Sequence, residues 1–478
     1  MKITFIEPAP PGFHVYSLIK QVRLGLPLLG TLLRDRGHEV HIFVESLGAV
    51  DWDVVGSSDL VGISTITSTA IKAYRYAERA REAGVMVAMG GPHVTFESDE
   101  ALEFADYVVR GEGEDAILEL VELLAGRREA DTILGLSYHA PDGSHLHNPS
   151  RPLRESLSDL PFPDLSLVAN HEKISPTPFL TSRGCPFDCE FCSVIEMFGR
   201  KVRTVEPCRL IDAIRAAHPH NIFFYDDNFI MSKRSAKELL AQMIREGLTV
   251  HWSAQIRVDS ISRGGRVDHE LLSLLREAGC YLVYLGLESV NPETLRLFNK
   301  KQTVDDIASG LAALHEYGIQ THGMFVFGSD TDTLETLRET ADFAVESKLG
   351  TAQFMILTPL PGTRQTAGLE REGRIFTRNW SLYDGHHVVF WPKHMSPVEL
   401  QEAAVESHKR FYRLRRLSSL PRHRLMGFLL SNGWGRVPDN MAYMRELRAF
   451  CASQSPPTAT EGSTAHDSAV DLASAAHG

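Results

Sequence analysis

Short apolar runs alternate along the first part of the chain with stretches in which apolar residues return every three or four positions. Residues 2–7 and 39–44 read as strands, separated by a helix over Leu26–Arg36 that Gly37 closes. Leu60–Ile66, Val85–Met89 and Tyr107–Val109 continue the strand pattern, and helices are expected over Thr69–Ala83, stopped by Gly84, and over Glu114–Leu124. Strands this short and apolar, alternating with helices, predict a parallel, doubly wound, Rossmann-like sheet over residues 1–126, whose ligands lie beyond the carboxyl ends of the strands. Those ends carry Ser64, Thr65, Thr67, Gly90, Gly91, His93, Gly111 and Glu112. Glycines there admit a ligand close to the backbone and hydroxyls supply short hydrogen bonds. On these residues alone, Gly90 and Gly91 equally make a tight turn and Ser64 equally caps a helix. The dinucleotide fingerprint is absent, because the first strand runs into Pro8-Ala9-Pro10-Pro11-Gly12.

Residues 127–176 are rich in turns, with a hairpin-like stretch at Tyr138–His147 and a proline-punctuated run at Leu160–Asp164, and read as a linker. From Thr177 the alternation resumes. Strands are expected at Thr177–Ser182, Asn221–Tyr225, Val250–Ile256, Tyr281–Leu285, Thr321–Phe327 and Ala352–Leu357. Helices follow the first five, over Cys208–Ala217, Lys233–Arg245, Asp268–Ala278, Val304–Tyr317 and Thr333–Ser347. Repeated strand-helix units predict a parallel sheet curling toward a partial (β/α)6 barrel over 177–364, with its chemistry at the carboxyl ends of the strands. A helical extension is expected over 365–450. In it, Ser396-Pro397-Val398-Glu399 is a capping box that starts a helix from Val398 to Leu417, and the helix ends in basic residues. The Ser, Ala, Thr, Gly and Pro composition of 451–478 predicts a disordered tail.

A chain of 478 residues accommodates this division into two or three domains. Its net charge of -12 disfavours a nucleic-acid partner, which would normally require a basic patch or stripe. No window approaches the ~20 apolar residues of a membrane span. The opening strand meets Pro8 too early for a signal peptide, so a cytoplasmic location is expected, where clustered cysteines serve catalysis or metal binding rather than disulfides.

The strongest chemical signal is Cys185, Cys189 and Cys192, three thiols presented from one loop after the first strand of the second half. A closed zinc site would need a fourth ligand, and Cys208, Cys280 and Cys451 each stand alone. Ordinary buried cysteines do not gather three to a turn. Thiolates select zinc or iron-sulfur clusters, and a four-iron cluster held by three thiolates keeps one iron open. The other strand ends are polar too: Asp226-Asp227-Asn228, Gln255 with Arg257, Glu288-Ser289, Gly328-Ser329-Asp330 and Thr358–Thr363.

The three-then-two cysteine spacing, with Phe191 before the last Cys, resembles the radical S-adenosylmethionine superfamily over residues 177–364. The resemblance implies that Cys185, Cys189 and Cys192 hold a 4Fe-4S cluster whose open iron binds S-adenosylmethionine. It also implies that Asp226 or Asp227 accepts from the methionine ammonium, Arg257 pairs with the methionine carboxylate, Glu288 accepts from the ribose, and the segment ending at Gly328 contacts adenine. For Arg257 and Glu288 the plainer reading is a structural ion pair near the barrel mouth.

Over residues 1–126, Ser64-Thr65-Ile66, the Gly90-Gly91 pair 24 and 25 positions after Ile66, and the Gly111–Glu114 turn resemble the cobalamin-binding domain. That family's D-x-H-x-x-G motif has no counterpart near residues 14–25, which implies cobalamin bound without a protein His on cobalt. The combination implies a cobalamin-dependent radical enzyme that methylates an unactivated carbon of a small or lipidic substrate and is served by an electron donor such as flavodoxin or ferredoxin. The alternatives are a non-methylating relative performing cyclisation, ring contraction or carbon-carbon coupling, and a non-catalytic cobalamin or redox sensor. A methylthiotransferase is disfavoured because no cysteine precedes Cys185, and a second cluster downstream is disfavoured because the remaining cysteines stand apart. His386, His387, Trp391 and His394 are assigned no role.

Overall fold

The computed structural model describes residues 1–10, 20–413, 429 and 433–457. The chain forms two compact units. The first is made of the described residues up to Pro186 together with Ser193–Pro219, and the second of Phe187–Cys192 with the described residues from His220 onward.

In the first unit, β1 (Lys2–Glu7), α1 (Gly25–Arg34), β2 (Glu39–Val44), α2 (Trp52–Gly56), β3 (Leu60–Ser64), α3 (Ala70–Glu82) and β4 (Met86–Gly90) follow one another. After them come α4 (Pro92–Phe96), α5 (Ser98–Leu102), β5 (Tyr107–Val109), α6 (Glu114–Leu124), β6 (Leu136–His139) and β7 (His145–His147). The strands lie in the order β2-β1-β3-β4-β5-β6-β7, parallel from β2 to β5. Each expected element forms, with ends shifted by a residue or two at most sites. The hairpin expected near Tyr138–His147 also forms, and it extends the sheet as antiparallel strands, with Val108 opposite Ser137. The core gathers Ile3, Phe5, Leu33, Ile42, Val44, Leu60 and Leu120 between sheet and helices. Gly62 sits in the middle of β3 because the Phe5 ring lies where its Cβ would be. The short helices α2, α4 and α5 were not anticipated, since five residues are too few to display a helical period. Asp51 caps α2, accepting from Asp53 N and Val54 N.

Still in the first unit, β8 (Thr177–Phe179), β9 (Ser182–Arg183), α7 (Val194–Phe198), β10 (Arg203–Thr204) and α8 (Pro207–Ala217) follow, with β9 and β10 antiparallel.

The second unit carries β11 (Asn221–Phe224), α9 (Lys233–Arg245), β12 (His251–Ile256), the small hairpin β13 (Ser262–Arg263) and β14 (Arg266–Val267), and α10 (His269–Glu277). Next come β15 (Cys280–Glu288), α11 (Pro292–Leu297), α12 (Val304–Glu316), β16 (Gln320–Phe327), α13 (Leu334–Glu346), β17 (Thr351–Ile356) and α14 (Arg364–Arg371). Within this unit the strands lie in the order β17-β16-β15-β12-β11, all parallel. One face of each strand is buried: the Phe354 ring centroid lies 5.2 Å from that of Phe325 and 5.5 Å from that of Phe327, and Phe224, Phe229 and Trp252 form a second cluster. The opposite face, carrying Tyr284, His322, Met324, Val326 and Met355, is only half-buried.

The capping box appears as expected. Ser396 N donates to Glu399 Oε2 at 2.7 Å and Glu399 N to Ser396 Oγ at 3.2 Å, starting α15 (Pro397–Phe411). The helix stops at Phe411, with Tyr412 and Arg413 beyond its end, short of the expected Leu417; residues 414–417, and with them Arg415 and Arg416, lie outside the described residues. A further helix, α16 (Pro438–Ser453), runs past the expected start of the polar tail because Leu447 and Phe450 bury its inner face. Of the expected tail, 458–478 lie outside the described residues. No helix among the described residues is long and apolar enough to cross a membrane.

Candidate active site

The cysteine loop is entered through a left-handed turn at Gly184 (φ +86°), where a Cβ would run into the Lys201 carbonyl oxygen. Cys185 N then donates to Gly199 O at 3.0 Å. The rest of the loop, Phe187–Cys192, is pinned within the second unit. Asn299 Nδ2 donates to Asp188 O at 2.8 Å, Arg364 Nη2 donates to Asp188 Oδ1 at 2.8 Å, and Glu190 N donates to Phe298 O at 3.4 Å. Phe191 packs edge-on against Phe298, with centroids 4.9 Å apart. Cys192 N turns back to Cys189 O at 3.3 Å, and all three thiols are free of disulfides.

Among the described residues no group of three or more His, Cys, Asp or Glu side chains could hold a metal ion. A cluster makes a different demand: each iron takes one thiolate, so its ligands stand farther apart than those of a single ion. A donor set of three cysteines outside any disulfide fits such a cluster.

Arg257, at the end of β12, lies beside this loop. Asp259 grips its guanidinium side-on, with Nε to Oδ1 at 2.9 Å and Nη2 to Oδ2 at 2.8 Å. The Phe187 ring lies under its Cζ at 3.9 Å, and Nη1 points at Cys189 Sγ, 3.8 Å away. Burial lowers the guanidinium pKa, and the Asp259 hydrogen bonds outweigh that, so the group stays firmly charged. Glu288 pairs with Lys300 Nζ at 2.6 Å, both side chains being almost fully buried. Both residues thus stand in structural ion pairs, Arg257 with Asp259 and Glu288 with Lys300. Glu288 also sits at φ +62°, on a register shift between β15 and β16, an uncommon backbone state for a side-chain-bearing residue.

After β11, Asp226 is fully buried while Asp227 reaches solvent. Desolvation, with the Asp226 carboxylate beside it, pushes its carboxyl up to about 6. Gly328 adopts φ +105°, with Leu400 and Phe390 crowding the position of a Cβ. Its N–H and that of Ser329 both donate to Asp332 Oδ2 at 2.9 Å, and Thr294 Oγ1 donates to Oδ1 of the same carboxylate.

The first unit gathers a second set of expected residues. Ser64 lies opposite Gly90, Thr65 N donates to Gly90 O at 2.8 Å, and His93 N donates to Thr65 O at 3.3 Å. Gly91, at φ +107°, brings its Cα so close that a Cβ would lie 2.5 Å from Thr65 O. Thr65 Oγ1 is completely buried without a hydrogen-bond partner, and Thr67 is buried alongside. An orphaned hydroxyl beside a glycine cradle suits a ligand that supplies the missing bond.

Two expected contacts turn elsewhere. The His93 ring lies 3.0 Å from Tyr74 Oη through Nε2, and burial pulls its pKa down to about 4. Glu112 is engaged by Arg203 and Arg183 and by Arg154 N, so it ties this unit together rather than facing the strand ends. Gly111, at φ +77°, donates from its N–H to Thr95 Oγ1 at 3.1 Å, which joins its turn to α4.

Asp259, Lys300, Asn299, Arg364 and Asp332 were missed in the sequence. The only sequence signal for Asp259 was an acid two positions after Arg257; the other pairings cross elements far apart in the chain.

Comparison with known proteins bears on the same residues. The model of the radical SAM superfamily matches residues 179–344, and that of the B12 binding domain matches residues 20–121. An uncharacterized methyltransferase of Pyrococcus horikoshii is 33% identical over 437 residues, covering 86% of this chain and 92% of the relative. The bacteriochlorophyllide d C-12(1)-methyltransferase of Chlorobaculum tepidum is 29% identical over 74% of this chain and 75% of its own. The radical S-adenosylmethionine methyltransferase TsrM of Kitasatospora setae, solved with cobalamin and a [4Fe-4S] cluster bound, shares the fold with a TM-score of 0.64 at 21% identity, over 78% of each chain.

Proposed function

The chain belongs to the radical SAM superfamily, among the cobalamin-dependent enzymes whose barrel accompanies a B12 binding domain, and on that premise we propose that it methylates an unactivated carbon of a small or lipidic substrate. The observation that carries this reading is the loop of three cysteines outside any disulfide, whose Phe187–Cys192 stretch is pinned by Asn299, Arg364 and Phe298, with the Arg257 guanidinium beside it. Cys185, Cys189 and Cys192 hold the cluster. When bound, cluster and cobalamin respectively supply the electron that cleaves S-adenosylmethionine to a hydrogen-abstracting radical and the carrier of the methyl group.

This chain's own residues position and exclude. Asp227, reachable where Asp226 is not, accepts from the methionine ammonium, and its raised pKa means that it takes up this cation most readily above pH ~6. With Nε and Nη2 of Arg257 committed to Asp259 and one N–H of Nη1 turned to Cys189 Sγ, the second N–H of Nη1 pairs with the carboxylate. The turn at Gly328, held by Asp332, offers backbone to adenine. Thr65, Gly90 and Gly91 line the cobalamin site, where Thr65 Oγ1 gains its missing partner. The half-buried strand face of Tyr284, Met324, Val326 and Met355 suits an apolar substrate. On that face His322 is kept neutral, because burial pulls its pKa down to about 4.

The test is anaerobic purification with cobalamin supplied, followed by reaction with methyl-labelled S-adenosylmethionine and candidate substrates. A product heavier by one methyl group carrying the label supports the reading. A product of altered mass without the label would replace methyl transfer with cyclisation or coupling.

A further inference from the structure

We infer that Arg257 is a hydrogen-bond donor to the sulfur of Cys189 and thereby raises the reduction potential of the cluster that this thiolate holds, with Asp259 as the residue that positions it. The inference rests on the cluster reading above. A guanidinium carries five N–H donors in a fixed plane. Here Asp259 takes one edge through Nε and Nη2, at 2.9 and 2.8 Å. Phe187, two positions before Cys189, covers the flat face at 3.9 Å. With edge and face fixed, the guanidinium plane is set, and Nη1 ends 3.8 Å from Cys189 Sγ, within hydrogen-bond reach of sulfur for one of its two N–H groups. Arg257 and Asp259 are both buried, 6% exposed each, so solvent screens the interaction little.

The chemical consequence follows from charge. Reduction adds one electron to the cluster, taken from a low-potential donor, and no bond forms or breaks. Negative charge on the sulfurs grows, and a fixed cation donating to one of them stabilises the reduced state more than the oxidised state. Hydrogen bonds to cluster sulfurs and local charge set such potentials. Lysine cannot replace this arrangement, because a single ammonium does not fill the Asp259 fork and reach the sulfur together.

The test is a redox titration of the anaerobically reconstituted full-length protein, followed by electron paramagnetic resonance of the reduced cluster. Arg257→Gln is expected to lower the midpoint by about 59 mV, a tenfold shift in a one-electron equilibrium, and Arg257→Lys to recover only part of it. Asp259→Asn is expected to shift the potential differently in the wild-type and Arg257→Gln backgrounds, since it acts through the arginine. Iron content and thermal unfolding of every variant separate these shifts from loss of fold. Wild-type and Arg257→Gln clusters of equal potential would overturn the inference while leaving the cluster in place, as would an Asp259→Asn shift identical in both backgrounds. A wild-type protein that takes up no cluster would overturn the cluster reading itself.

Discussion

Arg203 Nη1 lies 2.9 and 2.8 Å from the two carboxylate oxygens of Glu112, and both side chains are almost completely buried, at 2% and 4% exposure. Arg183 adds a third bond at 3.0 Å. A buried pair of this kind adds little over an apolar replacement, whereas removing one member leaves an uncompensated charge. Glu112→Ala is therefore expected to cost ~3–5 kcal/mol in urea unfolding of the full chain. Burial raises the Glu112 carboxyl, but the arginines outweigh it and hold the group below the ordinary 4.5. Its contribution to stability is thus present above that pH and is lost as pH falls through the depressed value.

Thr65→Val tests the cobalamin cradle. The hydroxyl it removes is buried and unsatisfied in the protein alone, so the variant should unfold at the same urea concentration as the wild type or a slightly higher one. Its cobalamin affinity should fall about tenfold, the worth of one hydrogen bond. Equilibrium dialysis followed by the cobalamin absorption spectrum measures this. Unchanged affinity would remove Thr65 from the site.

Gly91→Ala attacks the same cradle through the backbone. At φ +107°, with Thr65 O and N 2.5 and 2.9 Å from the added carbon, no small adjustment relieves the clash. The strand end must move, at a cost of ~1–3 kcal/mol. The variant should therefore lose both stability and bound cobalamin, unlike Thr65→Val, which loses only the second. Melting temperature and cobalamin content of the purified proteins distinguish the two patterns.

Asp384 and His387 supply a pH test in the second unit. Burial raises a carboxyl, but the facing His387 more than offsets it and holds Asp384 at about 2; His387 is raised in turn despite its own burial. Nδ1 lies 3.0 Å from both oxygens, and Nε2 lies 3.3 Å from Asn440 Oδ1 on α16. A raised histidine stabilises fully below its ordinary 6.5 and loses that contribution as pH climbs through the raised value. A depressed aspartate stabilises above its ordinary 3.8 and fails as pH falls toward 2. The wild type should therefore exceed Asp384→Asn in melting temperature most between pH ~4 and ~6.5, with the gap narrowing on the alkaline side. A gap independent of pH would contradict the ion pair.

The elements carrying these residues were legible because their patterns are local. Glu39–Val44, Lys233–Arg245 and Tyr107–Val109 appear at the expected boundaries. The cysteine loop was legible because its chemistry lies in eight consecutive residues. What was not legible depends on partners that folding chooses. Nothing near Glu112 in sequence announces Arg183 or Arg203, more than 70 residues away, so a strand-end carboxylate read as a ligand contact when it is an ion-pair centre. Glu288 was likewise legible only as a strand-end carboxylate, and its partner Lys300 lies beyond the α11 segment that follows, on no motif that the sequence displays. Asp332 was passed over because its role is to hold the N–H groups of Gly328 and Ser329, a task with no motif.

The account stands most directly on one measurement: the amount of 5'-deoxyadenosine formed when the anaerobically reconstituted, reduced protein is mixed with S-adenosylmethionine. The wild type should form it, and Cys185→Ala, Cys189→Ala and Cys192→Ala, each lacking a cluster ligand, should form none. Equal formation by the wild type and any one of the three variants, or none by a wild type carrying its full complement of iron, would contradict the account.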